Sequence, residues 1–172
     1  MTIQNILLDT NILIDHMKGV PEAVTLVSGT DEALISIISH IELLVDVRDP
    51  EEEAKTKRFL ATFKTINLDD NVVLESARLK RHLLQTGAKK MHMPDLIIRA
   101  TATIHSAIIY TLNKADFPAS ASVVHPYPPV VNKSPSIRQQ AAAAQAATTG
   151  NASVTPITAA QPGAGTKGSS TP

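Results

Sequence analysis

Four acids stand where an acid could do chemistry. Asp9 ends the apolar run of QNILLDTNILID, and Asn11 follows two positions later. A second apolar run, AIIYTL, leads into Asn113 and Asp116 of TLNKADF. Glu42 and Asp95 fall at the starts of helical segments between these motifs. Open α/β sheets bind ligands outside the carboxyl ends of their strands, so acids delivered there are candidates for a metal or substrate site. Oxygen donors without a single cysteine suit hard divalent cations, Mg2+ or Mn2+, and phosphate chemistry.

Each acid also has a plainer reading. Asp9 can cap the helix that follows it. Glu42 lies three residues after Ser39, the spacing of a capping box. Asp95 follows Pro94 in a first helical turn, where the helix dipole favours an acid. Asp116 can be a turn residue before Phe117 and Pro118. The joint pattern favours chemistry. All four can converge on one edge of a parallel sheet, where their mutual repulsion in a low-dielectric cleft is costly without a cation. A divalent ion there offsets the repulsion and supplies Lewis-acid chemistry at a phosphoryl oxygen.

The elements that must position these acids follow from the patterning. Gln4–Leu8 reads as a buried strand, and Ile12–Met17 as a short helix capped by Thr10 or Asn11. Pro21 opens a second helix and Gly29 closes it. Leu34–Ile38 is strand-like, and Ser39 is the expected cap of the next helix. Asp49 and Pro50 start a helix ending near Phe63. Thr65–Leu68 is a short strand. Asp69 or Asp70 caps a long helix ended by Gly87, with Val72, Val73, Leu79, Leu83 and Leu84 as its apolar stripe. Pro94 opens DLIIRATATIH, Ala107–Leu112 is a strand, and Ser122–His125 is a last one. Strands alternating with helices indicate a three-layer α/β/α sandwich with a mainly parallel central sheet.

Composition divides the chain. The 172 residues contain 16 basic and 16 acidic side chains, for a net charge of zero. Residues 1–125 hold every acid and all the bases except Lys133, Arg138 and Lys167, which leaves that part at about −3. A bulk nucleic-acid coat is excluded, and any such contact needs a local basic patch. Residues 126–172 are rich in Ala, Pro, Ser, Thr, Gln and Gly and are expected to form a disordered tail, with QQAAAAQAA as a transient helix. The N-terminus lacks a signal-peptide pattern. No apolar run reaches the roughly 20 residues that cross a bilayer. A soluble, cytoplasmic protein is expected.

Other side chains are less distinctive. Arg78, Lys80, Arg81, Lys89 and Lys90 form the densest basic region, either a solvated helix face or a surface for a phosphate backbone. Arg99 lies one turn past Asp95 and could pair with it, reach a substrate phosphate, or have no role. The six histidines show no zinc spacing and are read as structural or exposed. Aromatics make up 3% of the chain and are dispersed, too sparse for a base-stacking platform. Phe117 is expected in the core.

The segments LLDTNILID, ISIISHIELL, MPDLIIRATA and YTLNKADF resemble, in order, the four acidic motifs of PIN-domain nucleases, and more narrowly of the VapC-type toxins of prokaryotic toxin–antitoxin pairs. The resemblance covers roughly residues 3–125. It implies a PIN-like fold and Mg2+- or Mn2+-dependent hydrolysis of RNA, leaving a 5′-phosphate and a 3′-hydroxyl. Asp9, Glu42, Asp95 and Asp116 become the catalytic and metal-site acids. Thr10, Asn11 and Asn113 become polar supports. Arg78, Arg81, Lys89, Lys90 and Arg99 become the weaker candidates for RNA contact. A homodimer and a small antitoxin partner are implied as well. One departure is Leu112, where similar proteins often carry Arg, which would remove a phosphate contact. The alternative is a catalytically weak PIN-like binding module acting through RNA or an antitoxin. A haloacid-dehalogenase-like phosphatase fits less well, because Asn11 stands where that chemistry wants a second Asp.

Overall fold

The computed structural model describes residues 5–88 and 91–129. Five short strands form one parallel sheet: β1 (Ile6–Leu8), β2 (Leu34–Ser36), β3 (Lys64–Ile66), β4 (Ile108–Tyr110) and β5 (Val123–Val124), in the order β3-β2-β1-β4-β5. Six helices connect and flank them: α1 (Thr10–Met17), α2 (Pro21–Ser28), α3 (Ile37–Val45), α4 (Pro50–Leu60), α5 (Asp70–Thr86) and α6 (Met93–Ile104). The strands are shorter than the patterning predicts, but each falls within its predicted segment or within one residue of it.

Neighbouring strand residues serve opposite faces of the sheet. Leu8 and Ile35 pack with Ile12, Leu13, Ala23, Leu43 and Leu60 on one side. Leu7, Leu34 and Ile109 pack with Ile98, Ala102 and Phe117 on the other. This gives the three-layer α/β/α sandwich, with Phe117 fully buried as expected. The register sets Leu8 of β1 level with Ile35 of β2 and Tyr110 of β4. The segments leaving those strands therefore emerge along one edge.

The helix starts show why the elements begin where they do. Pro21, Pro50 and Pro94 lie in the first turns of α2, α4 and α6, where the missing N–H has no cost. Asp49 and Asp69 cap α4 and α5 by accepting from Glu52 N and Val72 N. Gly87 ends α5 in the left-handed region at φ 63°, as glycine is suited to do.

Three expectations are corrected. The cap of α3 is Ser36, whose Oγ accepts from Ile38 N, so Ser39 lies inside the helix and no capping box forms with Glu42. On α5, Val73 and Leu84 are exposed, because the face that packs along α6 is centred on Val72 and Ser76. The core also reaches past His125, since Tyr127 is buried among the residues around Leu8 and Ile12. Lys89, Lys90, the QQAAAAQAA tract and the rest of the expected tail from residue 130 lie outside the described residues. Among the described residues no helix is long and apolar enough to cross a membrane.

Candidate active site

Asp9 occupies the step from β1 into α1. Its N–H donates to Tyr110 O, extending the ladder by one bond, while its side chain caps the helix. Oδ1 accepts from Thr10 N at 2.8 Å. Oδ2 accepts two bonds, from Asn11 Nδ2 at 2.6 Å and from Thr111 Oγ1 at 2.5 Å. Asp9, rather than Thr10 or Asn11, is therefore the cap of α1, and capping does not use up its carboxylate.

Thr10 ties α1 to α3. Its hydroxyl lies 2.6 Å from Glu42 Oε2 and 2.9 Å from Ser39 Oγ. A hydroxyl has one proton and an ionised carboxylate can only accept. Thr10 therefore donates to Glu42 and receives the proton of Ser39. Because Ser36 caps α3, Glu42 is free of the backbone and turns toward Thr10.

The loop after β4 carries the fourth acid. Asn113 Nδ2 donates to Asp116 Oδ2 at 3.1 Å, and Asn113 Oδ1 accepts from Asp116 N at 3.2 Å. Thr111 Oγ1 accepts from Asn113 N at 3.0 Å and from Asn11 Nδ2 at 3.1 Å. Asn11 Oδ1 accepts from Leu112 N at 3.0 Å. A continuous chain of bonds thus runs from Asp9 through Thr111 and Asn113 to Asp116. Asp95 enters from the first turn of α6.

The four acids act on one another electrostatically. Burial raises the Asp9 carboxyl from its ordinary 3.8 to about 6, against the hydrogen bonds from Thr111 and Thr10, and the charges of Asp95 and Glu42 push it the same way. Asp95 is also raised, first by burial and then by the charges of Asp116 and Glu42, while His92 pulls the other way. Asp9, Glu42, Asp95 and Asp116 therefore form one repelling cluster. Among the described residues, no three acidic or histidine side chains stand in a ready-made metal-holding arrangement.

The chain matches a known family. Residues 6–120 fit the family model of the PIN domain. The chain belongs to the PIN domain family. Ribonuclease VapC19 of Mycobacterium tuberculosis is 30% identical over 125 residues, covering 70% of this chain and 98% of that protein. A toxin–antitoxin complex from Klebsiella pneumoniae contains a chain 32% identical with a TM-score of 0.64, covering 73% of this chain and 100% of that one. The chain of a DNA-bound VapBC structure from Salmonella typhimurium, at 20% identity and a TM-score of 0.61, covers 70% of this chain and 96% of that one and shares the fold.

Around this PIN domain site, several residues differ from their sequence reading. Thr111 and Ser39 are fully buried hydroxyls in the network, although the sequence pattern suggests no role for Thr111 and a cap for Ser39. The Thr-x-Asn spacing of Thr111 and Asn113 is the available signal. His92 is exposed, as expected, and it also acts on Asp95 through space. Leu112 is buried with Leu8, Ile12 and Tyr127. In this chain that position faces the core and presents no cation to a phosphate.

The basic residues are less gathered. Arg78 forms a bidentate pair with Glu75, at 2.6 Å and 2.7 Å. Arg81 and Arg99 make no ion pair among the described residues, so the possible Arg99–Asp95 pair does not form here. Lys80 Nζ donates to Met91 O, fastening the segment before α6 to α5.

Proposed function

We propose that this chain is a divalent-metal-dependent endoribonuclease that hydrolyses RNA phosphodiester bonds, and the toxin of a toxin–antitoxin pair. The observation that carries the reading is the repelling cluster of Asp9, Glu42, Asp95 and Asp116 at the carboxyl edge of a PIN-domain sheet. The name of the Mycobacterium tuberculosis relative supports an RNA substrate, and the Klebsiella pneumoniae complex supports a small antitoxin partner. Val73, Leu74 and Leu84, exposed on α5, offer apolar surface for the implied homodimer.

The donor set fits a hard cation. All four side chains offer oxygen, and a cation would offset their repulsion. Asp9 Oδ2 already accepts two bonds and Oδ1 only one, which leaves a lone pair on Oδ1 for Mg2+ or Mn2+. Bound there, the ion would stabilise charge on a phosphoryl oxygen and make water a better nucleophile. The chain's own residues do the positioning. Thr111 and Asn11 orient Asp9, Thr10 orients Glu42, and Asn113 orients Asp116. Arg81 and Arg99 are exposed or half-exposed cations available to the RNA backbone.

A second reading, a PIN-like binding module with little turnover, is favoured by one observation: no three acids are pre-arranged as a ligand set among the described residues. One experiment decides between them. Cleavage of an RNA pool is measured in Mg2+ for wild type, Asp9→Asn and Asp95→Asn, alongside Mn2+ titration. Cleavage by wild type that is lost in both variants supports the nuclease. Mn2+ binding by wild type without cleavage of any RNA supports the module. Undiminished turnover in both variants sinks the nuclease reading.

A further inference from the structure

The bonds that hold Thr111 show an unusual substitution in the sheet. In a parallel ladder, a residue donates its N–H to one residue of the neighbouring strand and accepts at its C=O from the residue two further on. Thr111 N donates to Val124 O at 3.0 Å, continuing the step set by Ile109 N and Ser122 O. The next donor, to Thr111 O, should be the N–H of residue 126. That residue is Pro126, which has none. The vacancy is filled by a side chain: His125 Nδ1 lies 2.8 Å from Thr111 O. A carbonyl can only accept, so Nδ1 carries the proton. His125 Nε2 is buried and has no partner among the described residues, which leaves the Thr111 carbonyl as the one bond the ring makes there.

The other end of Thr111 is its hydroxyl, bonded to Asp9 Oδ2 and to Asn113 N. Both backbone groups of Thr111 are thus held by the strand after it, and its side chain holds two of the acid-bearing segments. His125 lies outside residues 6–120, the part that fits the PIN domain. It follows β5 directly.

We propose that His125 is a positioning residue for the acidic centre: its imidazole supplies the ladder donor that Pro126 lacks, and so fixes Thr111 against Asp9. The inference rests on the metal-dependent ribonuclease reading. Loss of a residue bonded to a metal ligand typically costs about 10–100-fold in metal affinity or activity, and His125, acting through Thr111, is expected at the low end of that range.

The test uses the full chain and reads Mn2+ affinity by calorimetry, RNA cleavage in Mg2+, and thermal melting. His125→Leu removes the donor and is expected to weaken Mn2+ binding and kcat by roughly tenfold, with the KM for RNA nearly unchanged. His125→Asn places an amide N–H where Nδ1 stands and should restore most of both. His125→Gln reaches too far and should not. The double variant His125→Leu with Pro126→Ala supplies the backbone N–H and should also recover. Wild-type affinity and kcat in His125→Leu would overturn the proposal, as would no recovery in either His125→Asn or the double variant. If His125→Leu does not fold, the Asn and Gln variants decide, and equal values for those two overturn it. A wild type that neither binds Mn2+ nor cleaves RNA overturns the nuclease reading and this inference with it.

Discussion

The hydroxyl of Thr10 lies 2.6 Å from the Glu42 carboxylate, joining the first turn of α1 to the middle of α3. These residues are 32 apart in the chain, and the bond fixes one acid of the cluster relative to the segment that carries another. Thr10→Val keeps the shape and removes the donor. It leaves Ser39 without its acceptor and Glu42 without its orienting bond, at a cost of about 1–3 kcal/mol for the stranded polar groups. The expected result is a lower melting temperature and a roughly tenfold loss of RNA cleavage, both largely restored by Thr10→Ser. Cleavage kinetics and thermal melting on the three proteins check it.

Asp9 makes stability depend on pH and on metal together. In the folded chain its carboxyl holds a proton up to about pH 6, against an ordinary value of 3.8. Between those values the folded state binds more protons than the unfolded one, so stability falls as pH rises. The contribution is fully present below pH 3.8 and lost above about 6, and its size is on the order of 3 kcal/mol. Asp95 is shifted in the same direction. In chelator, the protein is expected to melt at a lower temperature at pH 7.5 than at pH 5. Mn2+ or Mg2+ should raise the melting temperature more at pH 7.5, where the acids are ionised. A metal effect equal at both pH values would count against the coupling.

Much of this was legible in the sequence, and the failures have definite causes. Alternating strands and helices, proline in the first turns of α2, α4 and α6, and Gly87 at the end of α5 are local signals, and each was read correctly. Asp9 as a cap was also local. The cap of α3 is hidden in the sequence because Ser39 and Glu42 have the spacing of a capping box, whereas Ser36 sits inside a β-branched run that reads as strand. Only the tertiary neighbour, Thr10, decides that Ser39 and Glu42 turn inward. The role of Thr111 is hidden for the same reason, since its partner Asp9 is 102 residues away. Leu112 shows the converse. Its burial follows from the pleat after β4, which no motif comparison reports.

The basic side chains divide by whether they already have a partner. Arg78 is engaged by Glu75 through two bonds, and that pairing holds the Glu75 carboxyl below its ordinary range. Arg81 is exposed on the same helix without an ion pair among the described residues. A free cation releases more counterions on meeting a phosphate backbone than one already neutralised. Arg81→Ala should therefore raise the KM for RNA several-fold, roughly 2–5-fold at low salt, and Arg78→Ala should raise it less. The difference should shrink as ionic strength rises. Steady-state kinetics at two salt concentrations test the order, and a larger effect from Arg78 would reverse the assignment.

Tyr127 anchors the chain after β5. It is buried among Leu8, Ile12, Leu13 and Leu112, and its hydroxyl lies 3.4 Å from Asp15 Oδ2 on α1. Burial, with the Asp15 charge beside it, pushes the phenol well above its ordinary range, so it stays protonated and can donate. The residue stands two positions beyond His125, and it packs against the same layer that carries the first turn of α1. Removing the ring opens a large cavity beneath Leu8, for which the usual cost is about 3–5 kcal/mol. Tyr127→Phe removes only the hydroxyl and its long contact with Asp15, for which about 1 kcal/mol is expected. Chemical denaturation of the two variants should separate these contributions, with Tyr127→Ala losing several times as much stability as Tyr127→Phe. If Tyr127→Ala unfolds at the wild-type midpoint, the segment from Pro126 to Pro129 does not belong to the folded core.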